Sequence, residues 1–158
     1  MLSYLQRTGV IVKSRYARRG TLAVLAWVFD FIPIDAASLD SIASMAAEIR
    51  RLFERGTNLL IFPEGSRSVS GRVLPFRNAG FRLAIEEGRP VVPVIIHSTA
   101  PFMSKSFASF YPREPLEYRL RFLPPEWPVA GERAEEMASR VHRLMARELR
   151  ELDRGTVW

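Results

Sequence analysis

The chain of 158 residues contains no cysteine, and that absence removes a disulfide framework, a thiolate nucleophile and a cysteine metal site together. It fits a reducing compartment, and the expected location is the cytoplasm. Histidine is almost as scarce, with His97 and His142 alone. Lysine occurs only at Lys13 and Lys105, although Lys and Arg total 23 against 17 Asp and Glu, for a formal charge of +6. The positive charge is therefore nearly all guanidinium, which suits phosphates, lipid headgroups or nucleic acid. A bias in the encoding genome accounts for the same usage. Long apolar runs are also missing: Thr21 to Ile34 falls short of the ~20 residues a spanning helix needs, and Asp30 and Pro33 interrupt it. The start, Met1 to Arg7, is too short and polar for the apolar part of a signal peptide. No internal repeat or low-complexity tract is present. What remains, at 47% apolar residues, is an ordinary globular composition on one domain's length of chain.

Short apolar runs alternate with helical patterns, which predicts an α/β layer architecture: a single domain over residues 1–158, with a mixed β-sheet flanked by helices. Strands are expected at Val10–Lys13, Phe31–Asp35, Asn58–Phe62 and Val91–Ile96, the last two buried. The uniformly apolar Val91–Ile96 is placed in the middle of the sheet. Thr21–Phe29 reads as a helix. A second helix starts from an N-cap at Ser38 or Asp40, places Ile42, Met45, Ala46, Ile49, Leu52 and Phe53 on one face, and stops at Gly56. Ala79–Glu87 is expected to turn Phe81, Ala84 and Ile85 inward and end at Gly88. Pro101 to Pro115 reads as an aromatic, proline-rich loop. Leu116 to Leu123 alternates, which predicts an edge strand with Leu116, Tyr118, Leu120 and Phe122 on the core side. From Glu132 to Leu152 a last helix is expected to bury Met137, Val141, Leu144, Met145 and Leu149.

The most informative stretch is Leu59-Leu60-Ile61-Phe62-Pro63-Glu64-Gly65-Ser66-Arg67-Ser68. An apolar strand runs into a turn that carries two hydroxyls and an arginine, a combination suited to phosphate. Gly65 permits a close backbone approach or φ > 0. Arg67 offers a planar fork of donors that matches a phosphate. Ser66 and Ser68 add hydroxyls, and Glu64 can accept from a sugar-alcohol hydroxyl or fix the arginine. An ordinary strand-to-loop turn with a solvated arginine fits the same residues. In open α/β sheets ligands lie beyond the carboxyl ends of strands, so the loop from Val69 to Phe76 is expected to wall the site. Arg72 and Arg77 suit either that lining or plain solvent exposure.

After Ser68 come Gly71, Leu74-Pro75-Phe76-Arg77-Asn78-Ala79-Gly80 and Pro90-Val91-Val92-Pro93-Val94. In this order the segments resemble the glycerolipid acyltransferase family, which includes 1-acylglycerol-3-phosphate acyltransferases. That family has a Phe-Pro-Glu-Gly-(Thr/Ser)-Arg-Ser block, then Pro-Phe-(Lys/Arg)-x-Gly, then Val-Pro-Val. The resemblance covers Val10 to Ile96. It implies transfer of a fatty acyl group from acyl-coenzyme A or acyl carrier protein to a hydroxyl of a lysophospholipid or glycerol phosphate, in phospholipid synthesis. It implies no cofactor beyond that thioester donor and no metal, with Glu64, Gly65, Ser66 and Arg67 holding the acceptor phosphate.

Two departures accompany the resemblance. The family's Asn-His-x-x-x-x-Asp block, whose histidine is the general base, is absent: His97 is followed five places later by Phe102, and His142 by Arg147. The expectation is a chain that begins after the block and is inactive by itself. The family's second block usually ends in an arginine; here Phe31-Ile32-Pro33-Ile34-Asp35 is followed by Ala36. Beyond acyl transfer, two other readings are open. One keeps the fold as a non-catalytic module for anionic lipid or phosphate. The other, nucleic-acid binding through aromatics and arginines between Phe107 and Phe122, is disfavoured because those aromatics alternate as core residues do. Lys13, Arg15, Arg18 and Arg19 before Leu22 to Phe29 suit a segment resting on the inner face of the cell membrane. A core helix fits the same residues.

Overall fold

The computed structural model describes residues 8–13, 31–34, 39–66, 68, 72–98 and 117–153. The chain divides into two compact units, Met1–Phe62 and Pro63–Trp158.

In the first unit, strands β1 (Thr8–Lys13), β2 (Phe31–Ile34) and β3 (Asn58–Leu60) form a parallel sheet in the order β2-β1-β3. The register pairs Val10 with Phe31 on one side of β1 and Thr8 with Asn58 on the other. Parallel neighbours cannot be joined by a tight hairpin. Between β2 and β3 the crossover is helix α1 (Leu39–Glu54), which contacts both strands. Its expected face is present. Ile49 is buried, Ala46, Leu52 and Phe53 are half-buried, and Glu48, Arg50, Arg51 and Glu54 are exposed. The side chains of Ile42 and Met45, the helix expected at Thr21–Phe29 and the cap at Ser38 lie outside what the structure describes. Asp40 is inside the helix and so is not its N-cap. The C-terminus closes as the sequence predicts: Gly56 takes φ 72°, its N–H donates to Phe53 O, and Thr57 N–H donates to Leu52 O. Those two bonds satisfy carbonyls that the helix end would otherwise leave open.

The second unit is built on a pair of helices, α2 (Ala79–Glu86) and α3 (Ala134–Asp153). Phe81 and Ala84 from α2 and Ala134, Met137, Ala138 and Val141 from α3 form one buried cluster, with Phe76, Ile85, Val91 and Met145 packed against it. Ile95, Leu123 and Leu152 form another, backed by Leu144, Met145 and Leu149. Both expected helix faces are therefore observed, and Gly88 ends α2 as expected, with Arg89 N–H reaching back to Ala84 O. The Pro101–Pro115 loop falls outside the described residues.

Strands β4 (Val94–Ser98) and β5 (Tyr118–Phe122) pair antiparallel, from Val94 opposite Phe122 to Ser98 opposite Tyr118. Two expectations fail here. Val91–Ile96 is not uniformly buried: Ile95 is buried while Ile96 is 50% exposed, and β5 is its strand partner among the described residues. On β5 the alternation is present but its sense is reversed. Leu120 is 58% exposed and Tyr118 and Phe122 are also exposed, whereas Arg119 and Arg121 are half-buried. The face toward α3 is the one with Ile95 and Leu123, and Arg121, on that face, reaches Glu148 of α3 at 3.5 Å. A long arginine can bury its stem and pair its head, so polarity alone does not decide which face a helix covers.

The proline-broken segment after β5 is fastened to α3 by one side chain. Arg140 donates to Glu126, to Trp127 O at 3.1 Å and to both carboxylate oxygens of Glu132 at 3.0 Å. Glu132 Oε2 also accepts from Val129 N–H at 3.1 Å. These bonds, led by that from Arg140, hold the Glu132 carboxyl below its ordinary pKa, against the opposing effect of desolvation.

Candidate active site

The strand expected to run to Phe62 ends at Leu60, and Phe62 is 58% exposed. Pro63, which has no N–H for a ladder, stops the strand from continuing past Phe62. From Pro63 the chain enters the second unit through the turn Pro63–Ser66.

Three contacts lock this turn to the segment 72–77. Arg77 N–H donates to Pro63 O at 2.9 Å. Leu74 N–H donates to Glu64 Oε2 at 2.8 Å. Gly65 takes φ 63°, and a Cβ built on it would lie 2.5 Å from Arg77 Nε and 3.2 Å from Arg77 Cζ. The left-handed backbone favours glycine at position 65, and the Arg77 side chain occupies the space its missing Cβ leaves. The sequence points to a glycine there but not to Arg77 as its neighbour. It offers Glu64 as a partner for a substrate hydroxyl or an arginine; the structure gives one of its carboxylate oxygens to a backbone amide ten residues on.

The segment 72–77 is in turn held by the second unit's core. The Phe76 ring stacks on Phe81 with centroids 5.9 Å apart, and meets the His142 ring edge-on at 5.0 Å. His142 Nε2 lies 3.4 Å from Val73 O. A carbonyl can only accept, so the imidazole donates from Nε2–H in this long contact. His142 is 69 residues from Val73 in sequence, and no local pattern reveals the pairing. Its ring is therefore committed to positioning the loop.

Of the four expected phosphate residues, Glu64 and Gly65 are half-buried in the locked turn and Ser66 is exposed beside them. Arg67, which carried most of the expectation, lies outside the described residues, and Ser68 is half-buried. Arg72 and Arg77 are exposed, and neither forms an ion pair with a carboxylate among the described residues. His97 sits on β4 opposite Arg119. Among the described residues no group of three His, Cys, Asp or Glu side chains could hold a metal ion.

Parallel strands joined by a helical crossover, with a glycine turn following a strand, define an α/β protein. A sequence profile described as Acyltransferase matches residues 1–97. The 1-acyl-sn-glycerol-3-phosphate acyltransferase alpha of Mus musculus is 30% identical over 116 residues, which are 73% of this chain and 40% of that protein. The 1-acyl-sn-glycerol-3-phosphate acyltransferase of Limnanthes alba is 32% identical over 113 residues, 69% of this chain and 38% of that one. In fold, the chain matches the crystal structure of the 1-acyl-sn-glycerophosphate (LPA) acyltransferase PlsC from Thermotoga maritima. The TM-score is 0.73 at 24% identity, over 96% of this chain and 58% of the other. The chain belongs to the acyltransferase family, with the glycerolipid enzymes of the 1-acylglycerol-3-phosphate type. It spans 38–40% of the length of these two curated relatives.

Proposed function

We propose that the protein acts in phospholipid synthesis, transferring a fatty acyl group from acyl-coenzyme A or acyl carrier protein to a free hydroxyl of a 1-acylglycerol 3-phosphate or a related glycerol phosphate. The observation that carries this reading is the locked Pro63–Ser66 turn in a chain whose relatives are named for that reaction. The turn and Arg67 hold the acceptor phosphate, which brings the hydroxyl to the thioester carbon and lowers the entropic barrier to their encounter. The hydroxyl oxygen attacks that carbon, its proton passes to a base, and the thiolate departs and is reprotonated. The base is a histidine of a His-x-x-x-x-Asp pair, which the 158 residues do not contain. His142 is held against Val73 and Phe76, and neither it nor His97 has an aspartate five places on.

Turnover therefore depends on such a pair from sequence beyond these residues, and general-base catalysis of this kind contributes ~10²–10⁴-fold. The basic segment from Lys13, whose continuation lies outside the described residues, would rest the protein peripherally on the inner face of the cell membrane. No helix among the described residues is long and apolar enough to cross one. The missing pair also favours one alternative, a phosphate- or anionic-lipid-binding module without transfer. The test is acyl transfer from radiolabelled acyl-coenzyme A to 1-acylglycerol 3-phosphate, by the chain alone and by the chain joined to the sequence encoded before Met1. Turnover restored by a His-x-x-x-x-Asp pair in that extension, and lost when its histidine is changed, supports the enzyme. Acceptor binding without turnover in both forms supports the binding module. Robust turnover by the 158 residues alone overturns the assignment of the base.

A further inference from the structure

We propose that Arg77 is a ligand of the acceptor's phosphomonoester, held ready by the turn that contains Gly65. This rests on the function proposed above and adds to it a residue outside the Glu64–Arg67 motif. The Arg77 backbone is tied to Pro63 O at 2.9 Å, and its Cδ, Nε and Cζ lie so close to Gly65 that a Cβ there would come within 3.2 Å of all three. The motif's glycine is thus a cradle for this guanidinium. Most exposed side chains of this length move freely and lose that freedom on binding; one already settled on a backbone surface loses less.

Among the described residues Arg77 forms no ion pair with a carboxylate. Among the same residues Arg51 meets Glu48, Arg133 meets Glu136 and Arg147 meets Glu148, whereas Arg77, like the exposed Arg55, Arg82 and Arg143, meets no described carboxylate. From Leu74 to Gly80 there is no acidic residue. Two polar side chains of this region have partners of their own, Glu64 Oε2 accepting from the Leu74 amide and Asn78 Nδ2 donating to Glu135 at 2.9 Å. A planar, always-charged donor without a carboxylate partner among the described residues, seated on a turn, is matched by a tetrahedral oxyanion that takes two of its N–H groups.

The experiment is calorimetric titration of the full chain with glycerol 3-phosphate, inorganic phosphate and glycerol, for wild type, Arg77→Gln, Arg77→Lys and Arg82→Gln. Exchange of the Leu74 amide, followed by NMR, reports whether the turn stays closed. Wild type is expected to bind glycerol 3-phosphate and not glycerol, and Arg77→Gln to weaken binding about tenfold or more, the loss typical of one charged hydrogen bond. Lysine should recover part of this, Arg82→Gln should match wild type, and the Leu74 amide should stay protected throughout. Inorganic phosphate bound as tightly as glycerol 3-phosphate, with the same dependence on Arg77, would keep the contact and narrow the ligand to the anion. Wild-type affinity in Arg77→Gln overturns the inference and leaves the acceptor site standing. Weak binding accompanied by an opened Leu74 amide also overturns it, because Arg77 would then hold the turn and not the ligand. A wild-type chain that binds neither phosphate compound overturns the proposed site itself.

Discussion

Two loops of the second unit are fastened to the same helix, α3, in opposite ways. The segment after β5 is held by Arg140, whose guanidinium meets two carboxylates and a carbonyl, so the charges of that segment are satisfied within it. The 72–77 segment is held by a long His142–Val73 contact, an aromatic edge and bonds from its own backbone amides to the Pro63 carbonyl and the Glu64 carboxylate of the motif turn. Its own cations, Arg72 and Arg77, take no part in any ion pair with the described carboxylates. A loop whose charges neutralise one another gains rigidity and has little left with which to bind an anion. A loop closed through its backbone keeps its guanidinium groups for a ligand.

The largest effect that would sharpen this contrast is expected from Arg140→Ala. It leaves Glu126 and Glu132 without their partner, and half-buried charged bonds of this kind are worth about 3 kcal/mol together. Urea melts should show the loss, while glycerol 3-phosphate affinity stays at the wild-type level. The same variant has a pH signature. Because the Glu132 carboxyl lies below its ordinary value of 4.5 in the folded chain, its contribution is present above that value and fades as pH falls through the lower, folded one. Wild type should therefore lose stability more steeply than Arg140→Ala below about pH 4.5. Parallel acid limbs in the two proteins would show that the network is not what holds this loop.

Arg67→Ala addresses the other side of the contrast. Acceptor binding is expected to fall by ~1.5–3 kcal/mol with the melting temperature unchanged, and lysine should rescue only in part. Unchanged acceptor affinity would remove Arg67 from the site.

Glu64→Ala should cost about 1.5 kcal/mol, since it removes a charged acceptor from the Leu74 amide. The loss should be local, seen as faster exchange of the Leu74 and Arg77 amides, with the Met137–Val141 core still protected. Uniform loss of protection across both regions would mean that the two loops do not open independently.

The smallest effect is expected from His142→Phe, which keeps an aromatic ring against Phe76 but has no donor for Val73 O. A neutral bond of this length contributes at most about 1 kcal/mol. His142→Gln, with a donor and no ring, separates the bond from the packing. If phenylalanine is wild-type-like and glutamine is not, the aromatic edge holds the loop.

What the sequence determined by itself follows from short-range rules. Ile49 and its neighbours on α1, Phe81 and Ala84 on α2, and Met137 and Val141 on α3 repeat at helical spacing, and Gly56 and Gly88 stand where a helix must reverse its backbone. The order Phe62–Ser68, Pro75–Gly80, Val92–Val94 is linear and so was readable as a family pattern. Contacts between residues far apart in the chain were decided only by the tertiary structure. The alternation on β5 has the same period whichever face is inward, and the covered face is the one with Ile95 and Leu123, where Arg121 also meets Glu148 of α3. Glu64 and Arg77 each looked, in sequence, like groups available to a ligand. The fold closes Glu64 onto the Leu74 amide and seats Arg77 on Gly65, because a hydrogen bond and a missing Cβ act through distance in space, which the spacing of residues along a chain does not record.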